Sequence, residues 1–122
     1  MNGAGTFNGN ASSGLKIFSN GAISLANITA SNNVGGYGTY LSAQGTGNAV
    51  ILNGTNIFNN NRLDGLYIDA NGNIVIFNAT ANSNSASGLF LQSTANITVN
   101  FDYCTDAANN GSFGAYADLP GV

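Results

Sequence analysis

The chain has 122 residues, enough for one domain, and 43% of them are hydrophobic while only 6% are charged. Lys16 and Arg62 are the only cations against five aspartates, and there is no Glu and no His, a balance that argues against a nucleic-acid partner and removes imidazole chemistry. A single cysteine, Cys104, rules out an internal disulfide framework, and no apolar run approaches the ~20 residues needed to span a bilayer.

The first ten residues, MNGAGTFNGN, have neither a basic nor an apolar signal region, so a secretion signal is expected only outside this chain. From there one short motif keeps returning: GLKIFSNG, GTYLSAQG, GLYIDANG, GLFLQSTA and GAYADLPG. Their leading glycines are Gly14, Gly38, Gly65, Gly88 and Gly114, spaced 24, 27, 23 and 26 residues apart. A period in the low twenties is the mark of a solenoid.

Within each repeat two short runs alternate apolar with other residues, the pattern of strands with one buried face. The pairs are Leu15/Ile17 with Ile23/Leu25, Leu66/Ile68 with Ile74/Ile76, and Leu89/Leu91 with Ile97/Val99. In the longer second repeat, Thr39/Leu41 and Val50/Leu52 take these places, and AQGTGN forms a longer turn. A third segment precedes each glycine. Its first residue makes a column Phe7, Ala30, Phe58, Ala81, Cys104, read as inward. Asparagines follow six and four positions before the glycine, at Asn8/Asn10, Asn59/Asn61 and Asn82/Asn84, with Asn32 and Asn110 as partial members. Asn tolerates left-handed backbone, bends the chain through its own side-chain bonds, and can stack on its own kind as a hydrogen-bonded ladder. These segments are the expected corners.

Residues 1–122 are therefore expected to form a single all-β domain, a parallel β-solenoid of about five coils rising ~4.8 Å each. No coil buries its apolar face alone, so stability is shared between neighbours. The competing architecture, an antiparallel β-sandwich, does not require the same residue type at the same phase of every repeat.

The stretches NITASNNVGGYGTYLS and NATANSNSASGLFLQSTANITV resemble the right-handed parallel β-helix repeats of the pectin-lyase-like superfamily, and more narrowly the long repetitive β-helix proteins of bacterial cell surfaces. The resemblance covers nearly the whole chain. It implies a right-handed coil with three sheets, and it is silent on activity, because the superfamily includes lyases, hydrolases, tailspikes and purely structural or adhesive stalks.

Lyases of that superfamily use aspartate-held calcium with Arg or Lys, and its hydrolases use clustered aspartates. The acids here are Asp64, Asp69, Asp102, Asp106 and Asp118. Asp69 and Asp118 share a column two coils apart with Gln92 between them, a separation of ~9.6 Å that is near the range of inverting glycosidases. They read as solvated turn residues. Arg62 and Asp64 read as a surface ion pair, and Cys104 as a small core residue with no base to activate it. No zinc cluster, calcium nonapeptide or phosphate loop is present, so neither metal nor cofactor is expected. Six Asn-x-Ser/Thr sequons, at Asn10, Asn27, Asn53, Asn78, Asn96 and Asn110, are read as structural asparagines.

One outward column remains: Lys16, Tyr40, Tyr67, Phe90, Tyr116. Its four aromatics can stack sugar rings, pack against another solenoid, or supply cross-strand contact. The expectation is a non-enzymatic structural or adhesive module, extracellular or on a cell surface; the alternative is a polysaccharide-binding module using Tyr40, Tyr67, Phe90 and Tyr116. Neither terminus shows a polar cap, and joining the last repeat to the first would nearly continue the period. Both a fibre subunit that stacks head to tail and a piece of a longer repeat protein, capped by its neighbours, fit that phase. Pro120 near the C-terminal edge counts slightly against the fibre.

Overall fold

The structure, a computed structural model, describes residues 3–100 and 107–119, all in strands, turns and bends with no helix among them. Three strands make one coil. The first coil holds β1 (Gly5–Thr6), β2 (Leu15–Ser19) and β3 (Ile23–Ala26), and the second β4 (Ile28–Thr29), β5 (Thr39–Ala43) and β6 (Val50–Asn53). The third holds β7 (Asn56–Ile57), β8 (Leu66–Ala70) and β9 (Ile74–Phe77), the fourth β10 (Ala79–Thr80), β11 (Leu89–Ser93) and β12 (Ile97–Asn100), and β13 (Ala115–Asp118) opens another turn. Every pairing is parallel and joins equivalent strands of successive coils, giving sheets β1-β4-β7-β10, β2-β5-β8-β11-β13 and β3-β6-β9-β12. The chain is a β-solenoid, as the repeat predicts.

Register follows residue type. Leu15, Thr39, Leu66, Leu89 and Ala115 lie in one row, and Ile17, Leu41, Ile68, Leu91 and Ala117 in the next. Period-two alternation turns both rows inward, where Leu41, Leu66, Ile68 and Leu89 are fully buried. Ile23, Val50 and Ile74 face them from the third sheet, beside Leu25, Leu52 and Ile76. Burying such side chains contributes ~1.5–3 kcal/mol each, which only a neighbouring coil can supply. Thr39 is the polar member of its row, fully buried, and its Oγ1 has no hydrogen-bond partner.

The glycines recur for a steric reason. A Cβ at Gly14, Gly38, Gly65, Gly88 or Gly114 would come within 2.5–2.7 Å of the carbonyl oxygen of Phe7, Ala30, Phe58, Ala81 or Ala107 respectively. At Gly65 the Gly88 carbonyl and the Asn84 amide crowd the same point, at 2.8 and 2.6 Å. The coil closes so tightly here that no side chain fits.

Those contacts also correct the inward column. The residue at the phase of Phe7, Ala30, Phe58 and Ala81 in the last repeat is Ala107 instead of Cys104, because the spacing to Gly114 is longer by three residues than the expected alignment allows. Cys104 itself lies outside the described residues, as do Asp102, Asp106 and Pro120.

Gly65→Ala is expected to lower stability by ~1–3 kcal/mol, the cost of forcing one carbon into a packed site, read as a fall in the denaturant midpoint. Thr39→Val should raise it by ~1 kcal/mol, since an unpartnered buried hydroxyl is removed.

Candidate functional site

Two surfaces concentrate chemistry: the Asn-rich corner and the outward face of the β2-β5-β8-β11-β13 sheet. At the corner, Asn10, Asn33, Asn61, Asn84 and Asn110 form a one-way ladder. Asn10 donates both its backbone N–H (3.0 Å) and its Nδ2 (2.9 Å) to Asn33 Oδ1, and Asn33 does the same to Asn61 at 3.1 and 2.9 Å. Asn61 donates likewise to Asn84 at 2.9 and 3.0 Å, and Asn84 to Asn110 at 2.9 and 3.0 Å. The remaining Nδ2 hydrogen bonds back to the preceding coil, from Asn61 to the Ala30 carbonyl, Asn84 to Phe58 and Asn110 to Ala81. Asn33, Asn61 and Asn84 thus each tie three coils.

The member from the second coil is Asn33 and not Asn32, because that coil carries one extra residue between its ladder asparagine and Gly38. Asn32 instead takes left-handed backbone (φ 59°), in line with Gly9, Asn60, Ser83 and Asn109. A second ladder escaped the sequence pattern in part. Asn8 Oδ1 accepts from the Ser31 N–H, Ser31 Oγ from Asn59, Asn59 Oδ1 from Asn82, and Asn82 Oδ1 from Ala108. Ser31 substitutes for asparagine here because the ladder needs one acceptor oxygen on a short side chain, nothing more.

Asp64 behaves as such an acceptor too. It is buried, and its Oδ1 takes the Ser87 N–H at 2.7 Å, instead of standing at the surface as an ion-pair partner for the exposed Arg62. The sequon residues Asn10 and Asn110 lie in the ladder, while Asn27 and Asn78 hold left-handed corners at φ 55° and 45°.

On the sheet face, Lys16, Tyr40, Tyr67, Phe90 and Tyr116 stand in register, each half-buried except exposed Lys16. Tyr67 and Phe90 have centroids 5.0 Å apart with planes 4° from parallel, and Phe90 and Tyr116 4.8 Å apart at 23°. Parallel rings that close must overlap face to face with an offset, so their faces look along the coil axis and their edges meet solvent. Tyr40 sets its ring at 79° to Tyr67 and 75° to Phe18. Three rings outside the expected column join it: Phe18, Tyr37 and Phe113. Tyr37 and Phe113 precede Gly38 and Gly114 and lean over the sheet edge, a reach that strand alternation does not encode.

Beside the column runs a second row, Phe18, Ser42, Asp69, Gln92 and Asp118, polar after its first member. Tyr67 Oη donates to Gln92 Oε1 (2.7 Å), Gln92 Nε2 to Asp118 Oδ2 (3.4 Å), and Gln44 Nε2 to Asp69 Oδ2 (3.0 Å). A hollow of about 190 Å³ is lined by Asp69, Gln92 and Asp118 together with Ser93 and Thr94. Burial, with Asp64 and Tyr40 nearby, holds the Tyr37 phenol above its ordinary pKa; burial first and then Tyr40 do so for Tyr67, so both stay protonated at neutral pH. No group of three or more metal-ligating side chains occurs among the described residues. No helix there is long and apolar enough to cross a membrane.

The chain matches no protein family, no curated protein and no solved structure among those it was compared with.

Asn61→Ala leaves both Asn33 donors without an acceptor and should cost ~2–6 kcal/mol, at ~1–3 per buried group left unpaired. Asn61→Asp should cost more, since it turns a donor toward the Ala30 carbonyl into a buried charge. Equal midpoints for the two variants in chemical denaturation would contradict the ladder's polarity.

Proposed function

We propose that this chain is a non-catalytic structural module, a β-solenoid that is extended coil on coil within an extracellular fibre or a cell-surface stalk or adhesin. The observation that carries the reading is the direction of the asparagine ladder. Among the described residues Asn10 Oδ1 accepts nothing, and the Asn110 backbone N–H and one Nδ2 hydrogen have no partner there, so a further coil could take them. The two ends are complementary in the same sense as every internal step. The apolar rows are open as well: Leu15 and Ile17 are half-buried at one end, and a hollow of about 370 Å³ beside Leu91, Ala115 and Ala117 lies toward the other. A next coil, from a second copy or from adjoining repeats, would continue the established register by strand addition.

The same three-sheet coil supports assigning the chain to the right-handed β-helices of the pectin-lyase-like kind, among its structural members. Catalysis has little support, because Gln92 stands in register between Asp69 and Asp118 and donates to the Asp118 carboxylate, where an inverting hydrolase holds its water between two carboxyls. Polysaccharide binding through Tyr40, Tyr67, Phe90 and Tyr116 has less support than cross-strand packing, because a sugar stacks on a free ring face and here most faces are turned to other rings.

Electron microscopy of the purified chain should show unbranched filaments with an axial repeat of ~24 Å, five coils at ~4.8 Å each. Asn110→Ala should shorten them while the circular dichroism of the coil persists. A monodisperse monomer at high concentration would restrict extension to adjoining repeats. Turnover of acidic polysaccharides that Asp69→Asn abolishes would overturn the non-catalytic reading, and binding on a glycan array lost in Tyr67→Ala would favour the polysaccharide alternative.

A further inference from the structure

Three of the aromatic rings are phenols in mutual contact. Tyr37 lies 5.3 Å from Tyr40 and 5.4 Å from Tyr67, centroid to centroid, and Tyr40 lies 4.9 Å from Tyr67. All three are half-buried, so they are held in place yet keep part of each ring at the surface, within reach of an oxidant. Tyr116 has no such company among the described residues: its ring contacts there are Phe90 and Phe113. We propose that this trio is a site of oxidative cross-linking, in which a one-electron oxidant joins Tyr37 to Tyr67 as dityrosine and staples the second coil to the third.

The pair is chosen by geometry. A carbon–carbon bond between two phenol rings leaves their planes twisted about it, neither flat nor perpendicular. Tyr37 and Tyr67 are tilted by 57°, whereas Tyr40 and Tyr67 meet edge to face at 79°, which sets a ring carbon of one against the π-face of the other. Tyr37 and Tyr40, tilted by 49°, belong to the same coil, so coupling them adds no tie between coils. Tyr37 reaches its place from the turn before Gly38, so the approach asks for side-chain rotation about that turn rather than for displacement of a paired strand.

The chemistry balances with a named oxidant. Each phenol gives up one electron and its hydroxyl proton to a haem peroxidase that consumes hydrogen peroxide. The two phenoxyl radicals pair their unpaired electrons in a bond between ring carbons ortho to oxygen, and the hydrogens on those carbons move to the oxygens, restoring both phenols. Two electrons and two protons leave the protein, and they reduce one hydrogen peroxide to two waters. Tyr67 Oη already donates its proton to Gln92 Oε1, which orients the phenol during its oxidation.

The test is treatment of the intact chain with a haem peroxidase and hydrogen peroxide at low protein concentration. The expected product is a monomer lighter by two hydrogens, with dityrosine fluorescence and, after cleavage at Lys16 and Arg62, one species joining the peptide that holds Tyr37 to the peptide that holds Tyr67. Fragment ions should locate the bond on those two residues. Its yield should not fall on dilution, and its thermal midpoint should shift upward. Tyr37→Phe and Tyr67→Phe keep the rings and the fold, verified by circular dichroism, and should abolish the fluorescent monomer, while Tyr116→Phe should leave it unchanged. Coupling that occurs only between molecules, that persists in Tyr37→Phe, or that is lost in Tyr116→Phe would overturn the assignment.

Discussion

Everything in this molecule depends on in-register parallel stacking. A coil of some two dozen residues cannot satisfy its own backbone, because in a parallel sheet every N–H and C=O looks to the coil above or below. Equivalent strands therefore pair with equivalent strands across all three sheets. Once that pairing is imposed, a residue must rest on the residue at the same phase one coil away. Leucine stacks on leucine inside, amide on amide at the corner and ring on ring outside, and each repetition follows from the same geometric condition.

The asparagine ladders turn that condition into a direction. In the ladder Asn10, Asn33, Asn61, Asn84, Asn110 each acceptor faces the lower-numbered coil while the backbone N–H and one amide hydrogen aim the other way. In the ladder of Asn8, Ser31, Asn59 and Asn82 the side-chain acceptors face the higher-numbered coil, so each ladder has a fixed polarity. The amide is the side chain for this place: short enough to fold back on its own backbone, with an acceptor and two donors to serve both neighbours. Asn33, Asn61 and Asn84 are buried, where an unpaired amide would be costly, so each coil is held to its register as well as to its neighbour.

On the outer face the same stacking has a different consequence. Rings one coil apart are close enough to overlap, and they use their faces on one another. The column Tyr40, Tyr67, Phe90, Tyr116 is thereby closer to a seam than to a platform. Where the neighbour is another tyrosine, as around Tyr37, the seam also gathers phenols in mutual contact. A scaffold built by repetition concentrates whatever reactivity its repeated residue carries.

The sequence by itself determined the coil, because phase is a local property: glycine spacing, period-two alternation and recurring asparagine each express one coil resting on the next. The rows through Leu66, Ile68, Leu89 and Leu91, the long turn after Ala43, and the place of Asn61 and Asn84 were all legible in that way. Where a repeat gained or lost a residue, phase alone could not say on which side of the insertion register resumes. Only the three-dimensional stack decided that Asn33 rather than Asn32 completes the ladder, and that Ala107 follows Ala81 at the place where the chain closes on the glycine. It also decided matters of direction. Asp64 turns inward because the Ser87 N–H needs an acceptor, and Tyr37 leans from its turn onto two tyrosines of the neighbouring strands. Side-chain aim at a corner depends on which hydrogen bond or contact the next coil leaves open, and that partner lies about one full turn of chain away, beyond the reach of any local pattern.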